Sequence, residues 1–281
     1  MRTYLDCIPC FFRQGLTAAR LFTKDEKKQK KILEEIAKEI PSISLDSTPP
    51  QIGKKIHTII QKATGSLDPY KKIKEKYNKI ALKLYPQLKS EVEKAEDSLL
   101  TAIRVAIIGN VVDFGVPVRL NLEQEIKTIL NQEFAIFDYA KFKKALRETE
   151  EILYLGDNSS EVPFDKILIE QLNKKVTYAV RRKPVVNDAT LEDALFFGMD
   201  KITKVISSGS DAPGNTLSLC SKKFFALYNS SKLIISKGQG NYESLSEEKR
   251  PIFFLLKAKC SIIARDLGCR KGDIVLKSEG N

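Results

Sequence analysis

The segment EILYLGDNSSEVPFDKILIEQLNKKVTYAVRRKPVVNDAT, residues 151–190, decides the fold. Three short β-rich runs occur in it, EILYLG, KVTYAV and PVVND, and the helical stretch FDKILIEQLN separates the first two. This alternation indicates βαβ units, in which helices join parallel strands and cover the sheet. The pattern continues through the runs KVISSG, KLIISKG and DIVLKS. We therefore predict an α/β domain over residues 149–281, with a mostly parallel sheet and helices on both faces.

In the preceding half of the chain, apolar residues recur with a different period. Apolar residues recur at intervals of three and four in the stretches LFTKDEKKQKKILEEIAKEI (21–40) and SLLTAIRVAIIGNVV (98–112), as in amphipathic helices. Residues 1–148 are therefore predicted to form a helical domain. A total of 281 residues, 42% of them apolar, is enough to build two such units.

The charge and hydropathy of the chain limit its partners. Lys and Arg number 47 against 36 Asp and Glu, a net charge of +11 that favours anionic ligands. The basic segments 24–31 and 70–79 also contain acids and are more typical of solvated helix faces than of a nucleic-acid patch. No apolar run approaches the ~20 residues that cross a bilayer, and the first residues do not resemble a signal peptide. We expect a cytoplasmic protein that binds neither nucleic acid nor membranes.

Five cysteines with scattered spacing are typical of reduced thiols. Cys7 and Cys10 form a CxxC motif, which is compatible with half a zinc site, with a redox pair, or with thiols on a buried helix face. The sequence has no second CxxC and only one histidine, His57. We favour the buried helix face and place this motif outside the catalytic centre.

Unusual polar residues follow four of the predicted strands. Ligands of parallel sheets bind at the carboxyl ends of the strands, where loops and helix N-termini converge. The loops that follow the four runs contain these candidate site residues: Asp157 and Asn158, Asp188, the group Ser208, Gly209 and Asp211, and the pair Lys237 and Asn241.

Each of these loops also has a purely structural explanation. Asn158 with Glu161, and Thr190 with Asp193, fit helix capping boxes. The serine and glycine loop fits an ordinary turn, and Lys237 fits a surface lysine. Capping does not require oxygen ligands, an amide-rich loop and a lysine at one edge, so the combination favours a functional site.

The combination suits phosphoryl hydrolysis. Hard oxygen ligands hold a divalent ion such as Mg²⁺ or Mn²⁺, and a lysine with loop amides offsets the charge of the phosphate. This chemistry needs no histidine, and His57 lies in the helical half. The chain has neither a P-loop nor a GxGxxG motif, which disfavours nucleotide and dinucleotide folds.

Several ordered motifs resemble those of the metal-dependent damage-control phosphatases, a family once labelled as acidic-residue methyltransferases in eukaryotes. They are the Cys7-x-x-Cys10 helix, Gly109-Asn110 followed by DFG (113–115), GDNSSE (156–161), NDAT with Asp193, SSGSDAPG (207–214) and KGQGNYESL (237–245). The resemblance covers nearly the whole chain and is closest to the stand-alone prokaryotic branch.

The resemblance implies a helical N-terminal domain packed on a three-layer α/β/α domain. It implies a divalent metal ion (Mg²⁺ or Mn²⁺, with Co²⁺ or Ni²⁺ as alternatives) held by Asp157, Asn158 and Asp188. Lys237 is implied as the phosphate-binding lysine with Asn241 beside it, and Asn110 reaches the site from the helical half. Substrates of the family are sugar phosphates and phosphorylated or damaged metabolites.

We predict a metal-dependent phosphatase that acts on small phosphorylated metabolites through metal-assisted attack of water. Asp157 and Lys237 are its predicted catalytic residues. A non-catalytic metabolite sensor is the first alternative and would bind ligands without turnover. A methyltransferase is the second, and the glycine-rich loop that usually cradles its cofactor is not visible. The sequence gives no indication of the oligomeric state.

Overall fold

The computed structural model of the protein describes residues 1–109 and 122–280. Its helices are α1 (Cys7–Phe22), α2 (Glu26–Glu39), α3 (Pro49–Thr64), α4 (Lys71–Lys94), α5 (Ser98–Ile108), α6 (Leu122–Asn131), α7 (Tyr139–Arg147), α8 (Val162–Leu172), α9 (Leu191–Phe196), α10 (Lys222–Ser230), α11 (Gly238–Leu245) and α12 (Ser261–Leu267). Its strands are β1 (Phe134–Phe137), β2 (Glu151–Leu155), β3 (Lys175–Val180), β4 (Lys204–Ser207), β5 (Ile234–Lys237), β6 (Ile252–Lys257) and β7 (Ile274–Glu279). None of the helices in these two ranges is long and apolar enough to span a membrane.

The seven strands form one sheet in the order β1-β7-β6-β5-β2-β3-β4. The five strands from β6 to β4 pair in parallel, whereas β7 is antiparallel to β6 and carries β1 parallel to itself at the edge. The chain runs outward from β2 to β3 and β4, then crosses back to β5 on the other side of β2. This reversal opens a crevice at the carboxyl ends of β2 and β5, where ligands of open α/β sheets bind.

The sheet is covered on both faces. Ile152 and Tyr154 of β2 pack in the core that contains α5 and α8, whereas Leu153 and Leu155 pack in the core of α10, α11 and α12. Successive side chains of a strand point to opposite faces, so the unbroken apolar run of β2 is buried on both faces of the sheet. The predicted α/β class with a mostly parallel sheet is confirmed.

The helical half is divided between two cores. Helices α1, α2 and α3 share a small core around Phe11, Ile36 and Ile56. The buried residues of α4 and α5 instead belong to the core on one face of the sheet, and α5 packs along α8. The sheet also begins before the predicted boundary at residue 148, because β1 precedes it.

Four local features differ from the predictions made from the sequence. Strand β1 was expected to be helical, and β6 was missed because a short apolar run beside a helical stretch has no decisive period. The run PVV is a loop and not a strand, and Val186 in it has a positive φ of 47°, which a pleated strand cannot accommodate. Cys10 is exposed and Cys7 is half-buried, so the predicted buried thiol face is wrong for Cys10.

Candidate metal and phosphate site

The loop that follows β2 carries the first two predicted metal ligands. Gly156, Asp157 and Asn158 leave the strand, and a short 3₁₀ turn, Ser159–Glu161, leads into α8. Asp157 and Asn158 are only 7% and 5% exposed. The loop lies directly against the start of α11, where a Cβ atom on Gly238 would stand 1.8 Å from Asp157 Oδ2. Gly238 also has a φ of +77°, so both the space and the backbone at this position favour glycine.

The third predicted ligand lies beside the first two, although its loop follows β3 and not the predicted strand PVV. Asp188 pairs with Asn158 in an isolated antiparallel bridge. The Ala189 amide donates to the Asp157 carbonyl at 2.8 Å, and the Ser159 amide donates to the Asn187 carbonyl at 2.9 Å. The structure therefore brings Asp157, Asn158 and Asp188 together through backbone contacts between the loops after β2 and β3.

Hydrogen bonds hold one side-chain atom of Asn158 and one of Asp188. Asn158 Nδ2 donates to Glu161 Oε1 at 2.7 Å. Asp188 Oδ2 accepts from Arg181 Nε at 2.7 Å and from the Gly214 amide at 3.3 Å. These contacts engage Nδ2 of Asn158 and Oδ2 of Asp188 and do not use Oδ1 of either residue.

Lys237, the predicted phosphate-binding lysine, is fully buried at the end of β5. Its Nζ donates to Glu161 Oε2 at 2.9 Å and to Asp165 Oδ1 at 2.6 Å. Asp165 also accepts hydrogen bonds from the hydroxyls of Tyr154 and Tyr178. Burial alone would lower the pKa of Lys237, but the two carboxylates raise it above its ordinary value, so the ammonium stays charged.

Asn241, a further predicted substrate contact, lies beside Lys237. Asn241 Nδ2 donates to the carbonyls of Gly156 and Lys237, and its Oδ1 accepts from Asn215 and Arg181. Asn241 thus ties the loop after β2 to the start of α11.

The serine and glycine loop follows β4, the strand next to β3 in the sheet. The backbone amide of the buried Ser208 donates to the Val180 carbonyl, and Gly209 has a positive φ of 85°. Asp211 is ion-paired with Lys54 at 2.6 Å and with Arg182 at 2.9 Å. Asn110 lies outside the described residues.

Only one of the two proposed capping boxes forms. Thr190 and Asp193 cap α9 reciprocally. Asn158 makes no capping bond and instead uses its amide to bind the Glu161 carboxylate. The site loop is also tied to the helical half, because Ser159 Oγ donates to Asn78 or Asp193 at 2.9 Å and Lys74 pairs with Asp193 at 2.8 Å.

Three charged residues of the site were not among the predicted ligands: Glu161, Asp165 and Arg181. Arg181 directly follows β3, so the strand-end rule could have selected it, but one of two adjacent arginines looks like surface charge. Asp165 lies within α8 and follows no strand, so no sequence pattern selects it. Its contact with Lys237 is visible only in the three-dimensional structure.

Together these groups form what we call the buried ion cluster: Asp157, Glu161, Asp165, Arg181, Asp188 and Lys237. All six are at most 7% exposed. Four carboxylates against two bases leave a formal excess of two negative charges when all are ionised. Burial and repulsion by Glu161 and Asp188 raise the pKa of Asp157 well above its ordinary value. Burial also raises the pKa of Asp188, although Arg181 opposes this.

A divalent cation fits this cluster, since it would supply the two missing positive charges. The donor set of two carboxylates and one amide matches the preference of hard cations for oxygen. Residues 1–109 and 122–280 contain no group of three His, Cys, Asp or Glu side chains arranged to hold a metal ion. The predicted set differs from such groups because its third ligand is the Asn158 amide.

Comparisons with known proteins agree with this architecture. The family model of the damage-control phosphatase ARMT1-like domain matches residues 3–275. An uncharacterized protein of Methanocaldococcus jannaschii is 38% identical over 284 residues, covering 96% of this chain and 93% of its own. A damage-control phosphatase of Pyrococcus horikoshii is 36% identical, with 98% and 97% of the two chains covered.

The fold has a close counterpart among solved structures. The crystal structure of a DUF89 family protein from Pyrococcus horikoshii superimposes with a TM-score of 0.90 at 35% identity, covering 99% of each chain. The chain therefore belongs to the damage-control phosphatase ARMT1-like family.

Proposed function

We propose that the protein is a metal-dependent phosphatase that hydrolyses small phosphorylated metabolites by metal-assisted attack of water. The observation that carries this proposal is the buried ion cluster, whose two excess negative charges lie at the carboxyl edge of β5, β2 and β3. Relatives named damage-control phosphatases support the activity. No specific observation on the described residues favours the sensor or the methyltransferase alternative.

Asp157, Asn158 and Asp188 would hold the cation through side-chain oxygens. Mg²⁺ and Mn²⁺ suit such ligands best, and Co²⁺ and Ni²⁺ are further candidates. When bound, the ion would polarise a phosphoryl oxygen and activate a water molecule. The protein prepares the ligands in advance, because Glu161 holds the amide nitrogen of Asn158, and Arg181 with Gly214 holds Oδ2 of Asp188.

The substrate phosphate would lie above the same loops. Lys237 keeps its charge under the loop after β2 and would offset the charge of the phosphoryl group from there. Asn241, Ser208, Gly209 and Asp211, with Asn110 from outside the described residues, complete the proposed substrate contacts. Burial of the cluster keeps water away from these charges, which strengthens their effect on the reacting group.

The proposal is tested by assaying released phosphate with a panel of sugar phosphates and other phosphorylated metabolites. Each ester is tested with Mg²⁺, Mn²⁺, Co²⁺ or Ni²⁺ and after removal of metal by a chelator. We expect metal-dependent release, which Asp188→Ala abolishes and Asp200→Ala, on the exposed surface, leaves intact. Tight binding of esters without release by any metal would favour the sensor alternative.

A further inference from the structure

Arg181 occupies a position in the buried ion cluster that the proposed metal ligands do not explain. It directly follows β3 and its side chain is 1% exposed. Nε donates to Asp188 Oδ2 at 2.7 Å, and Nη2 donates to Asn241 Oδ1 at 3.2 Å. The guanidinium is therefore fixed by the loop after β3 on one side and by α11 on the other.

The third nitrogen of this guanidinium, Nη1, is buried and has no hydrogen-bond partner among residues 1–109 and 122–280. A buried donor on a charged group is costly to leave unpaired, and native proteins rarely do so without a reason. Within the described part of the chain, Arg250 also has an unpaired buried nitrogen, its Nε. Arg250 precedes β6 at the amino edge of the sheet, whereas Arg181 stands at the carboxyl edge among the proposed ligands.

We propose that Arg181 is the anion-recognition residue of the site, with Nη1 donating a hydrogen bond to the phosphoryl group of the substrate. The inference rests on the proposed function and adds to it a residue that contacts the substrate directly. Lys237 directs two of its three donors to Glu161 and Asp165, whereas the whole Nη1 group of Arg181 is unused by the described residues. Arginine suits this role because its planar fork binds a carboxylate and a phosphate at fixed relative positions.

The geometry gives the guanidinium two separate tasks. Nε holds Asp188, so this nitrogen belongs to the support of a metal ligand. Nη1 lies on the same rigid plane, so a phosphoryl oxygen bound to it would be fixed relative to Asp188 and hence relative to the cation. Arg181→Lys separates the two tasks, because lysine keeps a positive charge beside Asp188 but lacks the fork.

The experiment measures binding of inorganic phosphate to the metal-loaded protein by calorimetry, without turnover. Metal affinity is titrated first in the absence of phosphate. We expect Arg181→Lys to change metal affinity by less than about threefold and to weaken phosphate binding by about tenfold or more. Arg250→Lys is the matched control and should leave both affinities unchanged, since its unpaired nitrogen lies at the opposite edge.

Either of two results with Arg181→Lys would overturn the proposal: phosphate binding equal to that of the parent protein, or loss of metal and phosphate affinity together. The second result would make Arg181 only a positioning residue for Asp188. Failure of the metal-loaded parent protein to bind phosphate would overturn it as well.

A second measurement does not depend on the folding of any variant. A crystal structure of the parent protein with metal and phosphate should place a phosphate oxygen within about 3 Å of Arg181 Nη1. An ordered phosphate that leaves Nη1 without a bond to it would contradict the proposal. Phosphate binding through Arg181 without hydrolysis of any ester would contradict the proposed function and leave this inference standing.

Discussion

At the scale of single residues, the site is defined by how its charged groups are paired. Glu161 occupies the centre of this pairing, because one of its oxygens binds Asn158 and the other binds Lys237. The carboxylate therefore connects a proposed metal ligand to a proposed phosphate-binding lysine. A change at Glu161 tests whether the orientation of Asn158 matters for the metal.

We predict that Glu161→Gln weakens metal binding by about tenfold, the scale on which supporting residues of metal ligands act. Glutamine turns one acceptor into a donor, so it cannot serve both the Asn158 amide and the Lys237 ammonium. Calorimetric titration with Mn²⁺ measures the effect. Glu170→Gln on the same helix α8 is the control, since Glu170 pairs with Lys89 at the surface. Equal metal affinity in both variants would argue against the positioning role.

We predict that Lys237→Met lowers the free energy of unfolding by about 3–5 kcal/mol, because it leaves two buried carboxylates without their cation. Urea unfolding of the metal-free protein measures the loss. Lys174→Met breaks the pair with Glu150, which is 81% exposed, and should cost less than about 1 kcal/mol. Similar losses in the two variants would mean that Lys237 is not paired as the structure has it.

At the scale of elements, the sequence predicts the strands that carry the site better than it predicts the sheet as a whole. β2, β3 and β5 correspond to the predicted β-rich runs EILYLG, KVTYAV and KLIISKG, and Asp157 and Lys237 were selected by the strand-end rule. The structure brings Asp188 beside Asp157 and Asn158, but its loop follows β3 and not the predicted strand PVV. The partners of these residues depend on contacts far apart in the chain, such as Lys237 with Asp165, and no local pattern reveals them.

The junction of β5 and α11 gives a prediction at this scale. Gly238→Ala should lower metal affinity and reduce stability, because the added Cβ would overlap Asp157 Oδ2. Gly268→Ala is the control: its φ of +71° is similar, but nothing lies within 4 Å of an added Cβ. The control should lose only about 1 kcal/mol of unfolding free energy, from backbone strain. Metal titration and urea unfolding of both variants decide whether the contact with Asp157 adds to that strain.

At the scale of the whole molecule, the helical half takes part in the site. His57 of α3 reaches the loop that carries Asp188, with Nε2 3.2 Å from the Pro184 carbonyl oxygen and Nδ1 3.5 Å from the Val186 amide. Both contacts are satisfied by the tautomer with its proton on Nε2. The sequence placed His57 far from the chemistry, and in the structure it instead supports a loop in which Val186 has a positive φ.

This contact predicts a pH dependence of stability. Burial lowers the pKa of His57 from 6.5 to about 4 in the folded protein. Because the folded pKa is the lower one, the contribution is complete above about pH 6.5 and is lost as the pH falls toward 4. Relative to His57→Gln, the parent protein should lose about 3 kcal/mol of unfolding free energy over this interval. Urea unfolding of both proteins from pH 7 to pH 4 measures the difference, and NMR follows the single histidine directly. A histidine that titrates near 6.5 in the folded protein, with parallel stability curves for the two proteins, would show that α3 does not hold the Asp188 loop through a neutral imidazole.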